Sequence, residues 1–368
     1  MKVMHVTYDM RIGGTEMVIK NIIEGNADAS IEMSIYCIEA PLGPWGEDLK
    51  ASGTPITVEE RQPGFDKSLI SKIRRHIKEN NIDILHCHQY TPWVYGALAA
   101  AFTKTKVIFT EHGRFYPDST NWKRKLVNPL LNKLTSAVTA ISEATRDALV
   151  TYEHIKKSDI DVVYNGIKPL EPSIDEISSL KTLLQLPKNA VVFGTVARLD
   201  PIKNQSMLLE AFAQAEKHIT DAYLLIVGDG ELMDSLTQQA SKLGLEDKVI
   251  FTGYKANPTN YLAIMDIFLL PSLSEGTSMT LLEAMSIGKP CIVTNAGGNP
   301  EIVAHMQTGL VTENEDKEDL RKALIKISES EKMRTSFSEK GVARFYDLFH
   351  VSKMMVQYSK IYMKVLEN

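Results

Sequence analysis

Residues 191–227 read VVFGTVARLDPIKNQSMLLEAFAQAEKHITDAYLLIV, and this stretch decides the fold. Two short runs rich in Val, Ile and Leu, Val191–Ala197 and Ala222–Val227, flank a longer amphipathic segment, Gln205–His218. Short apolar runs of this kind are typical of buried strands, and the spacing between them is typical of an amphipathic helix. A strand, a helix and a second strand in this order predict a right-handed crossover unit in a parallel sheet.

The same alternation continues in both directions along the chain. Upstream, the predicted strands are Val3–Tyr8, Glu32–Ile38, Ile82–His86, Val107–Glu111, Ala137–Ile141 and Asp161–Tyr164. Downstream, they are Val249–Thr252, Ile267–Leu270, Pro290–Thr294 and Leu310–Val311, and the predicted helices include Trp122–Leu134, Thr280–Ile287, Asn299–His305 and those within Met333–Glu367. The sequence therefore predicts an α/β protein with two doubly wound parallel-sheet domains that divide at the Asn165–Gly166 turn. A ligand is expected in the cleft between the two sheets, at the carboxyl ends of their strands.

The composition narrows the class of protein. The 368 residues include 41 Lys and Arg and 46 Asp and Glu, for a net charge of −5. A dedicated nucleic-acid-binding protein would be basic, so nucleic acid is not an expected partner. The cysteines Cys37, Cys87 and Cys291 are odd in number and far apart, which predicts no disulfide framework and a reducing cytoplasm. No apolar run approaches the roughly 18 residues that cross a bilayer.

Two loops that follow predicted strands carry residues suited to phosphate. Gly13 and Gly14 come after the first strand and lead into a helix, so a phosphate can approach both the backbone and the helix N-terminus. Arg198 and Lys203 lie in the loop after Val191–Ala197, where two cations can clamp a diphosphate. Two alternatives stay open at this point. One is that the glycines serve only a tight strand-to-helix turn, and the other is that the loop with Arg198 and Lys203 is an ordinary solvated surface loop.

A third segment, Glu275–Glu283, reads EGTSMTLLE and follows the predicted strand Ile267–Leu270. A glycine and two small polar residues lead into a helix predicted to start near Thr280, whose N–H groups can hold phosphate. The second carboxylate lies one turn into that helix, and a carboxylate can accept two hydrogen bonds from a vicinal diol. The segment suits a sugar nucleotide, and the alternative is a capped surface helix.

Histidines end two predicted strands of the first half. His112 follows Val107–Glu111 and precedes a glycine, which favours a position that lines the cleft. His86 and His88 occupy the end of the preceding strand. Two histidines at this spacing can bind a metal ion, but no third ligand is spaced near them, so no metal site is predicted.

The order and spacing of these motifs resemble those of the retaining glycosyltransferases of family 4, which have the GT-B fold. The resemblance covers nearly the whole chain, through the motifs Gly13–Glu16, His86–His88, Glu111–Gly113, Tyr164–Ile167, Ala197–Asn204, Val227–Glu231, Glu275–Glu283 and Asn295–Glu301. It implies an acceptor-binding Rossmann-like domain, 1–165, and a nucleotide-sugar-binding Rossmann-like domain, 166–344, that face each other across a cleft. It also implies that the closing helices, about 345–368, pack back on the first domain.

The resemblance implies a role for individual residues. Arg198 and Lys203 match the pair that binds the donor diphosphate. Glu283 matches the Glu that holds the ribose hydroxyls, and Glu275 matches the Glu near O3 and O4 of the donor sugar. His112 matches the cleft His near the reacting centre. The other residues at donor-binding positions are Gly14, Gly228, Tyr254, Gly276, Thr277, Ser278, Met279 and Thr280.

The expected activity is that of a hexosyltransferase in surface polysaccharide or glycolipid synthesis. It would move a sugar from a nucleotide-diphosphate sugar, with UDP favoured, to an acceptor hydroxyl with retention of configuration. Because Arg198 and Lys203 supply cations, no metal and no other cofactor is expected. Two alternatives stay open: a non-catalytic nucleotide-sugar-binding subunit, and a sugar-nucleotide epimerase on a similar fold.

One basic segment suggests where the acceptor lies. Lys104–Lys133 contains seven basic residues against Glu111 and Asp118. Its helical part, Trp122–Leu134, is amphipathic, and a basic amphipathic helix can lie on an anionic membrane. Peripheral contact with the inner face of the membrane is therefore expected, with a carbohydrate or lipid-linked acceptor and Phe115–Pro117 as a loop at the acceptor entrance. The alternative is a core-facing helix with a solvated basic side.

Overall fold

The computed structural model describes residues 1–113 and 122–367, apart from the side chain of Lys123. The chain forms two compact units. The first contains residues 1–167 together with the chain from His350 onward, and the second contains Lys168–Phe349. The chain passes from the first unit to the second after Ile167 and returns after Phe349. Both positions are a few residues later than the predicted boundaries after residues 165 and 344.

The first unit is built on a seven-stranded parallel sheet. Its strands are β1 (Lys2–Thr7), β2 (Glu32–Cys37), β3 (Ile56–Val58), β4 (Ile84–His88), β5 (Lys106–Glu111), β6 (Ala137–Ala140) and β7 (Ile160–Val162). They lie in the order β3-β2-β1-β4-β5-β6-β7. Its helices up to this crossing are α1 (Gly14–Gly25), α2 (Pro44–Ala51), α3 (Lys67–Asn80), α4 (Tyr90–Ala100), α5 (Trp122–Lys133) and α6 (Glu143–Glu153). The strand order reverses between β1 and β4, which is where an open α/β sheet binds its ligand.

The second unit repeats this architecture with six parallel strands. They are β8 (Val191–Val196), β9 (Ala222–Val227), β10 (Val249–Phe251), β11 (Ile267–Leu270), β12 (Cys291–Thr294) and β13 (Gly309–Thr312). Their order is β10-β9-β8-β11-β12-β13, so this sheet reverses between β8 and β11. The helices are α7 (Ile174–Leu183), α8 (Gln205–Ala215), α9 (Met233–Lys242), α10 (Thr259–Ile264), α11 (Met279–Ser286), α12 (Asn299–Ile302), α13 (Lys317–Ser328) and α14 (Glu331–Arg344).

The C-terminal part of the chain returns to the first unit. A π-helical turn, Phe345–Phe349, ends the second unit, and α15 (Val351–Glu367) then packs on α1. The contact is close, because a Cβ added at Gly25 would lie 2.5 Å from a methyl carbon of Val351. Where the chain crosses, Ile167 and His350 form a parallel β-bridge.

Three elements differ most from those predicted, and the other differences are shifts of strand and helix ends by a few residues. The sequence did not predict β3, which has three residues, or α2, which has eight and starts at Pro44. The helix predicted over Asn299–His305 ends at Ile302, because Val303 is extended and Met306 has a positive φ of 59°. Short elements bury few residues, so their apolar periodicity is weak.

Candidate active site

In the second unit, the loop after β8 is organised by one buried carboxylate, that of Asp200. Its Oδ1 accepts hydrogen bonds from the backbone N–H groups of Ile202 at 3.0 Å and Lys203 at 3.1 Å. Its Oδ2 accepts a hydrogen bond from Nε of Arg198 at 2.6 Å. The Arg198 side chain is nevertheless 74% exposed. The loop is therefore held in shape while most of the guanidinium faces solvent.

An ion pair between Lys203 and Glu275 joins the loop after β8 to the segment Glu275–Glu283. Nζ of Lys203 donates to Oε1 of Glu275 at 2.6 Å, and the hydroxyl of Ser272 donates to the same oxygen at 2.6 Å. The backbone N–H of Leu273 donates to the carbonyl of Ile202 at 2.8 Å, which ties the two loops together. Glu275 is 8% exposed and Lys203 is 24% exposed, so the ion pair is shielded from water but reachable from one side.

Two glycines allow the backbones of this region to approach each other. Gly228 has a φ of 142°, and a Cβ there would lie 1.9 Å from the carbonyl oxygen of Ala197. Gly297 has a φ of 52°, and a Cβ there would lie 1.8 Å from the carbonyl oxygen of Glu275. Any side chain at either position would push the loops apart, so these glycines hold the loops that carry the Arg198 and Glu275 motifs.

Helix α11 begins beside Glu275 with a side-chain cap. The hydroxyl of Ser278 accepts a hydrogen bond from the backbone N–H of Leu281 at 3.3 Å and also contacts the hydroxyl of Thr280 at 3.2 Å. The first helical residue is Met279, one position earlier than predicted. A helix N-terminus carries partial positive charge, so the segment from Gly276 can receive a phosphate group.

Glu283 lies on α11, one turn in from its N-terminus, and is half-buried. No hydrogen bond to its carboxylate occurs among the described residues. Burial therefore raises the pKa of Glu283 from 4.5 to about 7. Tyr254, in the loop after β10, is 53% exposed. Both side chains are available to a ligand.

In the first unit, Gly14 is the first residue of α1, and the helix has no side-chain cap at Gly13. The carboxylate of Glu16 lies under this turn, where burial, with a smaller effect of the Asp9 charge, raises its pKa to about 7. Nε of Arg11 donates to Asp9 at 2.7 Å and closes the loop after β1. Gly13 therefore offers the N–H groups at the start of α1 no side-chain cap, and the Glu16 carboxylate accepts a hydrogen bond from the backbone N–H of its own residue.

His112 follows β5 and is held by two hydrogen bonds. Its backbone N–H donates to Oε1 of Glu111 at 3.0 Å, and its Nε2 lies 2.7 Å from Nδ1 of His88. Burial lowers the pKa of His112 to about 3, so the ring is neutral at neutral pH. Its second ring nitrogen, Nδ1, is buried without a hydrogen-bond partner among residues 1–113 and 122–367.

The fold adds a third histidine that sequence spacing did not reveal. β1 pairs with β4 so that His5 lies opposite His86, and ring nitrogens of His5, His86 and His88 come within 4.8 Å of one another. Both nitrogens of His86 have protein partners, the hydroxyl of Tyr362 at 2.8 Å and that of Thr110 at 2.7 Å. These contacts have hydrogen-bond distances, which favours a polar network over a set of metal ligands.

Helix α5 presents an apolar face to solvent. The exposed residues are Trp122, Leu126, Val127 and Leu130, with Leu134 just beyond the end of the helix, whereas Leu131 and Asn128 are buried. Arg124 does not belong to the exposed face, because it forms an ion pair with the buried Glu153 and lies over the ring of Tyr90. The expected loop Phe115–Pro117 lies outside the described residues. No helix in the described part of the chain is long and apolar enough to span a membrane.

Comparisons with known proteins agree with this arrangement. The sequence model of Glycosyltransferase Family 4 matches residues 12–169, and that of Glycosyl transferases group 1 matches residues 179–344. The chain is 30% identical to N-acetyl-alpha-D-glucosaminyl L-malate synthase of Bacillus anthracis, over 83% of this chain and 81% of that one. It is 27% identical to UDP-Gal:alpha-D-GlcNAc-diphosphoundecaprenol alpha-1,3-galactosyltransferase of Escherichia coli, over 100% and 98%.

Among solved structures, Alr3699/HepE of Anabaena in complex with UDP aligns with a TM-score of 0.88. The two chains are 24% identical, and the alignment covers 99% of this chain and 100% of that one. This likeness confirms the predicted fold class, two Rossmann-like parallel-sheet domains of the GT-B type.

Proposed function

The chain belongs to family 4 of the glycosyltransferases, and from this membership we propose that it transfers a sugar from a UDP-sugar to an acceptor hydroxyl with retention of configuration. The ion pair of Lys203 with Glu275 is the observation that carries the proposal. It joins a cation suited to phosphate and a carboxylate suited to sugar hydroxyls at one place, beside the N-terminus of α11.

The second unit binds the donor in this proposal. Lys203, Arg198 and the N–H groups at the start of α11 hold the diphosphate, whose negative charge grows as the bond to the sugar breaks. Fixed cations and dipoles stabilise such charge without reorganisation. Because the protein itself supplies these cations, transfer proceeds without a metal ion.

The two carboxylates contact different parts of the donor. Glu283 accepts hydrogen bonds from the ribose hydroxyls, which compensate for the burial of its charge. Glu275 contacts hydroxyls of the sugar while its Oε1 stays bonded to Lys203. Gly228 and Tyr254 border the nucleoside, and the segment Gly276–Thr280 borders the diphosphate and sugar.

Among the described residues of the site, no side chain is an obvious nucleophile, and Oε1 of Glu275 is already engaged by Lys203 and Ser272. We therefore favour a front-face displacement. The acceptor oxygen bonds to the anomeric carbon as the carbon–oxygen bond to the diphosphate breaks, and the departing phosphate oxygen takes the acceptor proton. His112 lies near the sugar in this scheme, and Gly14 lies under the diphosphate.

Two curated relatives indicate different acceptors. The name of the Bacillus anthracis relative includes L-malate, a small anion, and that of the Escherichia coli relative includes a diphosphoundecaprenol. The exposed apolar face of α5, with Lys125 and Lys133 also exposed, favours a lipid-linked acceptor at an anionic membrane surface. The proposed setting is the cytoplasmic face of the membrane, in surface polysaccharide or glycolipid synthesis.

The test of the proposed function is turnover of the full-length protein with a panel of UDP-, GDP-, ADP- and TDP-sugars and two acceptor classes, undecaprenyl-diphosphate sugars and hydroxy acids. We expect product from a UDP-sugar and the lipid acceptor, with the anomeric configuration retained when the product is examined by NMR. Tight UDP binding with no turnover on any pair would instead favour a non-catalytic binding subunit. Conversion of the donor sugar to its epimer would favour the epimerase.

A further inference from the structure

Three histidines of the first unit are joined end to end by hydrogen bonds and are called here the histidine chain. Nε2 of His112 lies 2.7 Å from Nδ1 of His88, and Nε2 of His88 lies 2.9 Å from Nδ1 of His5. The two ends of the histidine chain are His112 Nδ1 and His5 Nε2. Both are buried and have no hydrogen-bond partner among the described residues.

The positions of the protons on these rings are coupled. Burial lowers the pKa of His5 and of His112 to about 3 and that of His88 well below its usual value, so all three imidazoles are neutral at neutral pH. A neutral imidazole has one N–H and one lone pair, and each link needs one of each. Only two arrangements satisfy both links: all three protons on Nε2, or all three on Nδ1.

The two ends of the histidine chain distinguish these arrangements. Protons on Nε2 would leave an unpaired N–H at His5, whose side chain is fully buried in the sheet. Protons on Nδ1 place that N–H at His112, whose Nδ1 atom is also buried but whose residue as a whole is half-buried and lies in the loop after β5. Each arrangement leaves one N–H group without an acceptor. That group is more costly at the fully buried His5 than at the half-buried His112, so the second arrangement is favoured.

We infer that the histidine chain holds all three protons on Nδ1, so that His112 presents an N–H donor at its outer nitrogen and His88 and His5 act as positioning residues that fix it. The consequence for catalysis rests on the proposed function, which puts His112 beside the donor sugar. There the Nδ1–H group donates a hydrogen bond to an oxygen of the donor. It does not act as a base, because a proton could be accepted at Nδ1 only after both inner links had reversed.

The experiment is ¹⁵N NMR of the full-length protein labelled at histidine, without any donor present. We expect His5, His88 and His112 each to show a pyrrole-type Nδ1 and a pyridine-type Nε2. His5→Leu removes the donor to His88 Nε2, so His112 should change from one tautomer to an average of two. His5→Asn, whose amide N–H can donate from nearly the same position as Nδ1, should move the His112 resonances back toward the single tautomer.

Met4→Leu is the matched control, because Met4 is also fully buried on β1 but points to the opposite face of the sheet. It should leave the His112 resonances in place. Opposite tautomers at His112 and His5, protons on Nε2 throughout, or His112 resonances that do not respond to His5→Leu would each overturn the inference. So would a joint shift of His5, His86 and His88 with one equivalent of Zn²⁺, since these rings would then be metal ligands.

The outcome is independent of the proposed function, because no sugar transfer is measured. A protein that turns over no donor but keeps the three protons on Nδ1 would contradict the proposed function alone. A protein that turns over a UDP-sugar but shows mixed tautomers would contradict the histidine chain alone.

Discussion

Lys203 and Glu275 lie 72 positions apart in the sequence, yet Nζ and Oε1 are 2.6 Å apart in the fold. In the absence of a donor, the carboxylate neutralises the cation that we propose to hold the diphosphate. A bound donor must therefore share Lys203 with Glu275, which couples recognition of the phosphate to recognition of the sugar. This coupling shapes the first two predictions.

The first prediction separates the two carboxylates. Glu275→Gln should not lower UDP affinity, because it removes the negative charge that competes for Lys203. Glu283→Ala should weaken UDP binding by about 1.5–3 kcal/mol, the contribution of a hydrogen bond to a charged group. Isothermal calorimetry with UDP measures both. Equal losses for the two variants would contradict the assigned contacts.

The second prediction concerns the cations. Lys203→Ala and Arg198→Ala should each lower kcat/KM for the UDP-sugar by on the order of a hundredfold, since they interact with charge that grows in the transition state. Lys317→Ala is the matched control. It removes an ion pair with Glu210 in the same unit, at 2.8 Å, and should leave kcat/KM unchanged. Normal turnover by the Lys203 variant would show that this loop has no part in the reaction.

The third prediction follows from the pKa of about 7 at Glu283. A carboxyl with a raised pKa binds its proton more tightly in the folded protein, so its contribution to stability is lost as pH rises from about 4.5 to about 7. Glu283→Gln keeps the neutral form, so it should gain up to about 3 kcal/mol relative to wild type between pH 5 and pH 8. Urea unfolding at the two pH values checks this. Parallel stability curves would show that burial does not perturb Glu283.

The fourth prediction concerns metal ions. Because Lys203, Arg198 and the start of α11 supply positive charge, transfer should keep its rate in excess EDTA. The measurement is initial rate with and without EDTA, at the same ionic strength. Loss of activity that Mn²⁺ restores would show that a divalent cation completes the site.

The fifth prediction tests the membrane surface of α5. Wild type should co-sediment with anionic vesicles at low salt and dissociate as salt screens the charge. Leu126→Ser with Leu130→Ser should abolish this binding. The matched control is Ile174→Ser with Leu183→Ser, which changes two even more exposed apolar residues of α7 in the other unit and should leave binding intact. Equal binding by both double variants would exclude α5 as the docking surface.

The structure separates Arg124 from its basic neighbours on α5. In the sequence, Arg124 stands between Lys123 and Lys125. In the fold, Arg124 pairs with Glu153, which is 1% exposed. Removing Arg124 would leave a buried carboxylate without its cation, and that would destabilise the unit whatever its role at a membrane.

The sequence predicts the bounds of long, periodic elements well, but it predicts contacts between side chains of different elements poorly. The strands Ala222–Val227 and Ile267–Leu270 have the predicted bounds, because each is a continuous apolar run that ends in turn residues. His5 could not be joined to His88 from spacing, since their contact depends on β1 lying beside β4. The pairing of Lys203 with Glu275 likewise depends on two loops that meet only when β8 and β11 are neighbours.

The bridge between Ile167 and His350 makes the second unit an insertion into the first. The inserted segment, 168–349, is continuous in sequence and forms a compact unit of its own, so UDP binding can be tested on this segment alone. The host unit needs α15, whose Tyr362 bonds to His86 at 2.8 Å. Because the ends of the insertion are adjacent at this parallel bridge, a flexible glycine-rich linker from Ile167 to His350, long enough to run back past the bridge, would close the host chain. The histidine chain and the α5 surface could then be studied without the donor-binding unit.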